Sequence, residues 1–264
     1  MSIRVYRGPH RDTGGPTFGF RTIPWIFFAL GLLGTITWPI IPSDRQDSLT
    51  FFIILFLFIA STSHAFVWWG MAWAATFMVV SLGISFSVLA LNSATGFIFG
   101  EITYTYRLGL QLLYVPIVAP LIWSSVTYFA IVISRRISRS TYMSPLSAAI
   151  AATGLLIAVD GLFVKAGFHK WLTLAEQPAI IGLSPVKFQV VSFVIFLVMM
   201  ILSGQNSKND RYSTRMPILL YTWLLLFIIF CAQFLIDNVT NFVIPIILMS
   251  YVLLIFVYKT IKER

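Results

Sequence analysis

Residues 49–92 read LTFFIILFLFIASTSHAFVWWGMAWAATFMVVSLGISFSVLALN. More than forty consecutive positions pass without one Asp, Glu, Lys or Arg. About twenty apolar residues cross a bilayer as a helix, so this run is long enough for two crossings. Its middle, SHAFVWWGM, carries His64, Trp68, Trp69 and Gly70, which suits a tight hairpin at a membrane interface. Backbone N–H and C=O groups cannot stay unpaired in hydrocarbon, so both halves are expected to be helical.

The rest of the chain has the same character. Of 264 residues, 58% are apolar and 10% charged, against a usual charged share of about a quarter in soluble proteins. Aromatic residues make up 16%, led by 24 Phe, and the mean hydropathy is +0.89. The expected fold is an all-α, polytopic helical bundle in the membrane. We read eight spans, at 22–41, 49–67, 71–92, 111–134, 146–165, 186–204, 217–236 and 241–258. The organisation expected is a basic, flexible tail over 1–21 and one transmembrane domain over 22–264. No internal repeat, low-complexity tract or sustained β-type alternation is evident.

Charge placement tests the span count. With eight spans, one side carries Arg4, Arg7, Arg11 and Arg21, then Arg135, Arg136 and Arg139, then Lys208, Arg211 and Arg215, then Lys259, Lys262 and Arg264. Those are 13 of the 18 basic residues, and Arg45, Arg107, Lys165, Lys170 and Lys187 fall on the other side. A seven-span reading would split the four clusters. The positive-inside rule then puts both termini in the cytoplasm of a multi-pass protein of the cell membrane. The net charge of +9 needs no nucleic-acid partner, because basic loops beside spans meet anionic lipid headgroups. The first 21 residues lack the apolar core and small-residue cleavage site of a signal peptide, so the first span is expected to be retained.

Several chemistries find no support. The single Cys231 excludes an intramolecular disulfide and a cysteine-rich metal site. There is no HExxH, no Walker loop, no GxGxxG and no pair of carboxylates at metal-ligand spacing. No cofactor and no metal are expected. Ionisable residues in or beside spans remain, and these default to function because charge in hydrocarbon costs several kcal/mol. Asp160, in GLLIAVDGLFVK, lies about one and a half turns inside the end of the fifth span. The bland alternative is a helix-end ion pair with Lys165 or an Arg. Glu101 is either functional or a solvated loop carboxylate. Asp237 reads as the polar turn between the last two spans. His64 reads as a packing residue towards the cytoplasmic face.

The run TGFIFGEITYTYRLGLQLLYVPIVAPLIWSSVTY, residues 95–128, resembles the signature of bacterial and archaeal carotenoid biosynthesis membrane proteins that include the carotenoid 1,2-hydratases. Matching positions are Gly96, Phe99, Gly100, Tyr104, Leu108, Gly109, Val115, Pro116, Pro120, Leu121, Trp123 and Tyr128, while Ile102 departs from an expected Tyr. A looser second block, DGLFVKAGFHKW, aligns Asp160, Gly167, Phe168 and Trp171, with Gly161 in place of a Pro and His169 in place of a Trp. Further on, Gly182 and Phe188 match and Lys187 replaces an Asn; Leu89 stands near an expected acidic residue. The resemblance covers roughly residues 60–200.

It implies hydration of the terminal alkene of an acyclic carotenoid, of the gamma-carotene or bisanhydrobacterioruberin type, with no redox cofactor. Protonation of one alkene carbon gives a tertiary cation that water captures. The donor must be a carboxylic acid held protonated, and burial in an apolar span favours that form. Asp160 fits by position, and Glu101 would hold or activate the water. The cation needs electron-rich faces. Tyr104, Tyr106, Trp123, Tyr128, Phe99 and Trp171 are the candidates, although an interfacial aromatic belt also explains such residues. The implied partners are a carotenoid or other long polyene isoprenoid, membrane lipid, and other membrane proteins of the carotenoid pathway. A small transporter remains an alternative, although no paired half-chain symmetry supports it. So does a non-catalytic carotenoid-binding or assembly subunit.

Overall fold

The computed structural model describes residues 18–138, 140–172, 184–202, 213–235 and 242–262. Among these lie eight helices: α1 (Phe18–Thr37), α2 (Ser43–Trp69), α3 (Met71–Thr95), α4 (Val118–Ile137), α5 (Met143–Ala166), α6 (Val186–Leu202), α7 (Arg215–Phe230) and α8 (Val243–Lys262). All but α6 are long and apolar enough to cross a membrane by length and composition. The apolar α6 has 17 residues, about 25 Å at 1.5 Å per residue. The protein is a multi-pass, all-α bundle. Most expected tail residues lie outside the described ones, but α1 starts at Phe18, so the boundary at 21 falls inside a helix. Arg139, Lys208, Arg211 and Asp237 also lie outside the described residues.

Helices α4 and α5 form the centre. Their spans are 78% and 67% buried, against 22% to 44% for the other five candidate spans. Small residues explain the position. Ser124, Ser125, Thr127, Ala130 and Ser134 in α4, and Ala148, Ala149, Ala151, Ala152 and Ala158 in α5, are buried. Without a hydrophobic drive between helices in lipid, close backbone approach is what holds them. At Gly154 a Cβ would stand 2.9 Å from Leu248 Cβ on α8, so a side chain there would push that helix away.

The two ends of the bundle are distinct. At one end Arg21 lies over the Trp68 ring at 5.8 Å and Arg135 over Trp69 at 4.3 Å, gathering the start of α1, the α2–α3 turn and the end of α4. At the other end the chain between α3 and α4 is irregular. It contains β1 (Ile102–Tyr104), a 3₁₀ turn at Tyr106–Leu108, and a hairpin of β2 (Gln111–Leu112) with β3 (Val115–Pro116). The span expected over 111–134 is therefore corrected: residues 111–116 are a hairpin and the helix starts at Val118. Pro116 has no N–H to continue a helix hydrogen-bond ladder from its own position, whereas Pro120 sits in the first turn of α4, where no intrahelical donor is needed.

After α5, β4 (His169–Trp171) pairs antiparallel with β1 in the register Ile102 with Trp171, Thr103 with Lys170 and Tyr104 with His169. Thr105 N–H to Phe168 O and Leu172 N–H to Glu101 O, both 2.9 Å, extend this ladder. Gly167 makes the reversal from α5 into β4 at φ +76°, a conformation costly for residues with a Cβ. Two short ladders were thus present where the sequence offered no sustained alternation.

Candidate functional site

The β1–β4 ladder carries the site by strand parity. Alternate side chains in a strand point to opposite faces. Ile102, Tyr104, His169 and Trp171 turn inward and line a cavity, while Thr103 and Lys170 are exposed. The remaining wall comes from Leu89 of α3, Ala119, Ile122 and Trp123 of α4, Val159, Asp160 and Phe163 of α5, and Phe188 of α6, together with Phe99. The cavity is about 50 Å³.

Asp160 is buried and fully engaged. Trp171 Nε1–H donates to its Oδ2 at 3.1 Å, and the Ser184 hydroxyl donates to the same oxygen. His169 Nε2 stands 3.0 Å from Oδ1. That contact is close but off-axis, and Nε2 has no aligned hydrogen-bond partner. Lys165 is exposed, so the pairing of Asp160 with Lys165 weighed from sequence is not what the helix end shows. Burial, the larger cause, pushes the Tyr104 phenol well above its ordinary pKa, so it stays un-ionised.

Aromatic rings complete the enclosure. The ring centroids of Phe99 and Phe188 are 5.2 Å apart, those of Trp171 and Phe188 5.1 Å, and those of Phe99 and Trp123 5.9 Å. His169 stacks edgewise on Trp171 at 5.8 Å and tilts against Tyr104 at 5.7 Å. Behind these rings, buried Asn92 shapes the approach to β1: its Oδ1 accepts from Phe99 N–H at 2.7 Å and its Nδ2–H donates to Gly100 O at 3.0 Å.

A second, larger chamber of about 140 Å³ adjoins the first. Ile122, Val159 and Phe163 belong to both walls and stand between the two. The chamber runs between α1, α2, α4, α5 and α7, with Leu57, Phe129, Leu155 and Phe227 among its apolar walls. Its polar atoms are satisfied within the protein. Trp38 Nε1–H donates to Thr50 Oγ1, Thr50 Oγ1–H to Gln46 O, and Trp223 Nε1–H and Thr35 join α7 to α1 at 2.8 Å. The chamber presents hydrocarbon to whatever occupies it.

Of the expected site residues, Asp160, Tyr104, Trp123, Phe99 and Trp171 come together on this cavity. Three do not. Glu101 has the parity of Thr103 and its side chain is exposed; its backbone carbonyl serves the ladder. Tyr106, in the 3₁₀ turn, is 80% exposed. Tyr128 is fully buried but bonds to His64 Nδ1 at 2.5 Å, away from the cavity wall. It lies five residues after Trp123, about 140° around α4, so the two rings face different directions. Reading the sequence missed His169 and Ser184 as partners of Asp160. A His–x–Trp alternation just past a helix end was the available signal for the first.

The loop is held by Arg107, whose Nε and Nη2 donate to both Asp47 oxygens, at 2.9 and 2.6 Å. Its Nη1 reaches Ala166 O at the end of α5, and the guanidinium covers Phe168 at 5.0 Å. One side chain thus ties the 3₁₀ turn to α2 and α5.

Comparison with known families matches residues 49–256, most of the chain and all of the cavity wall, to a model described as carotenoid biosynthesis protein. No curated protein and no solved structure matches.

Proposed function

This chain belongs to the family of carotenoid biosynthesis proteins, and from that premise we propose that it adds water to the terminal alkene of an acyclic carotenoid. The observation that carries the reading is one buried carboxylate, Asp160, on the wall of an aromatic cavity that shares Ile122, Val159 and Phe163 with a neighbouring hydrocarbon-lined chamber. The chamber offers no polar group in need of a partner, so it suits a polyene chain better than a headgroup. The small cavity accepts only the chain's end.

In this reading the end group lies against Trp123, Phe99 and Trp171, with its double bond near Asp160. Asp160, as general acid, gives its proton to the less substituted alkene carbon. The electron pair of the double bond forms the new C–H bond and leaves a tertiary cation. Ring faces of Trp123, Tyr104, Trp171 and Phe99 stabilise that cation without reacting with it. Water then bonds to the cationic carbon, and loss of one proton leaves a tertiary alcohol. The sum is alkene plus water, with no electron transferred.

The orientation that goes with it places both termini in the cytoplasm and the Asp160 end of the bundle towards the opposite face. A carotenoid-producing host carrying this chain tests the activity. Hydroxylated end groups are expected with the native chain and none with Asp160→Asn, since general acid catalysis is worth roughly 10²–10⁴-fold. Unchanged pigment that co-purifies with the native chain would instead mark a carotenoid-binding subunit.

A further inference from the structure

Capture of the cation by water requires a group to take the water's proton, and three titratable side chains line the cavity: Asp160, Tyr104 and His169. Asp160 is the donor in the hydration reading: Trp171 and Ser184 occupy its Oδ2, and its Oδ1, open once the proton has left, stands 3.0 Å from His169 Nε2. Tyr104 is held as a neutral phenol. Glu101, the residue that sequence suggested for the water, is exposed and off the cavity wall. His169 is 3% exposed, lines the cavity, and has a ring nitrogen without an aligned partner.

We propose that His169 is a catalytic residue: its Nε2 positions the water, accepts its proton, and returns that proton to Asp160. The proposal rests on the hydration reading and completes its proton cycle. Asp160 starts with the proton on Oδ1 and His169 starts neutral, with its Nε2 lone pair towards the cavity. The acid transfers its proton to the alkene carbon and becomes a carboxylate. Water oxygen bonds to the tertiary cation while the Nε2 lone pair takes one of the water's protons, giving the alcohol and an imidazolium. The imidazolium proton then crosses the 3.0 Å gap from Nε2 to Asp160 Oδ1. Both residues are back in their first state, and one water has been consumed.

The off-axis contact suits this double duty. A linear Nε2–H···Oδ1 bond would leave the nitrogen no lone pair for water, whereas the observed placement lets a small ring rotation address either water or carboxylate.

The test uses the full chain, purified in detergent with an acyclic carotenoid. His169→Gln and His169→Phe should both lower hydration at least ~10²-fold while pigment still binds, Phe being the variant that keeps the ring packing. In His169→Gly, added imidazole should restore product, and pyrrole, which fills the same space without a basic nitrogen, should not. Full activity in His169→Phe, or equal rescue by pyrrole, would show a packing role and overturn the proposal while leaving hydration intact. A native chain that forms no alcohol would overturn the hydration reading and this one with it. Should His169→Gly not fold, the Gln and Phe variants decide alone.

Discussion

Replacing Val159 by Phe should block product formation without unfolding the protein. Val159 belongs to the walls of both the chamber and the Asp160 cavity, so in the hydration reading a chain end that reaches Asp160 from the chamber passes its side chain. The Asp160 cavity is only about 50 Å³, so four added carbons on its wall take up room the chain end needs. Overpacking in a well-packed interior costs about 1–3 kcal/mol, less than the stability of a typical domain. The larger chamber of about 140 Å³ should keep its pigment. The assay is pigment extraction and product analysis from membranes with matched amounts of protein, and Val159→Ala serves as control. The Phe variant should retain bound carotenoid and lose the alcohol; the Ala variant should retain both. Product at the native level from Val159→Phe would refute the idea that the chain end passes this junction.

Glu101→Gln should leave hydration within about twofold of native, measured in the same assay, because the side chain is exposed and off the cavity. Tyr128→Phe should cost about 1–3 kcal/mol in denaturant stability by removing the buried hydroxyl that bonds His64 Nδ1, with product per folded molecule unchanged. Cysteine labelling should find Tyr142→Cys, 82% exposed in the α4–α5 loop, accessible from the cytoplasm and Ser48→Cys from the other face, since the native Cys231 is buried.

The fold was legible where one physical rule acts alone. Hydrocarbon length placed α3 and α5 to within three residues and α2 with a start six residues too late, and the intramembrane carboxylate pointed to Asp160 because nothing else in that span is charged before Lys165. Between α3 and α4 two rules compete. The run LQLLYVP is apolar enough for a span, yet it folds as a hairpin whose tip, Leu113 and Tyr114, takes positive φ. That is unusual for bulky residues, and local propensity gives no warning of it. The same problem hid the site's chemistry. Three-residue strands are too short for alternation to stand out, so the parity that turns Tyr104 and His169 inward and Glu101 outward depends on pairing across more than sixty residues. Tyr128 shows a further limit: a matching aromatic can belong to the bundle's packing rather than its cavity, and only the rotation along α4 separates it from Trp123.

The most direct measurement is the isotopic content of the product. Purified protein is given an acyclic carotenoid in D₂O enriched in ¹⁸O, and the product is back-exchanged into ordinary water before mass analysis. Hydration through Asp160 predicts one ¹⁸O and one carbon-bound deuterium per reacted end, with neither present in pigment recovered from Asp160→Asn. An alcohol that carries deuterium and ¹⁸O equally well in Asp160→Asn, or native protein that returns the carotenoid unlabelled, would contradict the account.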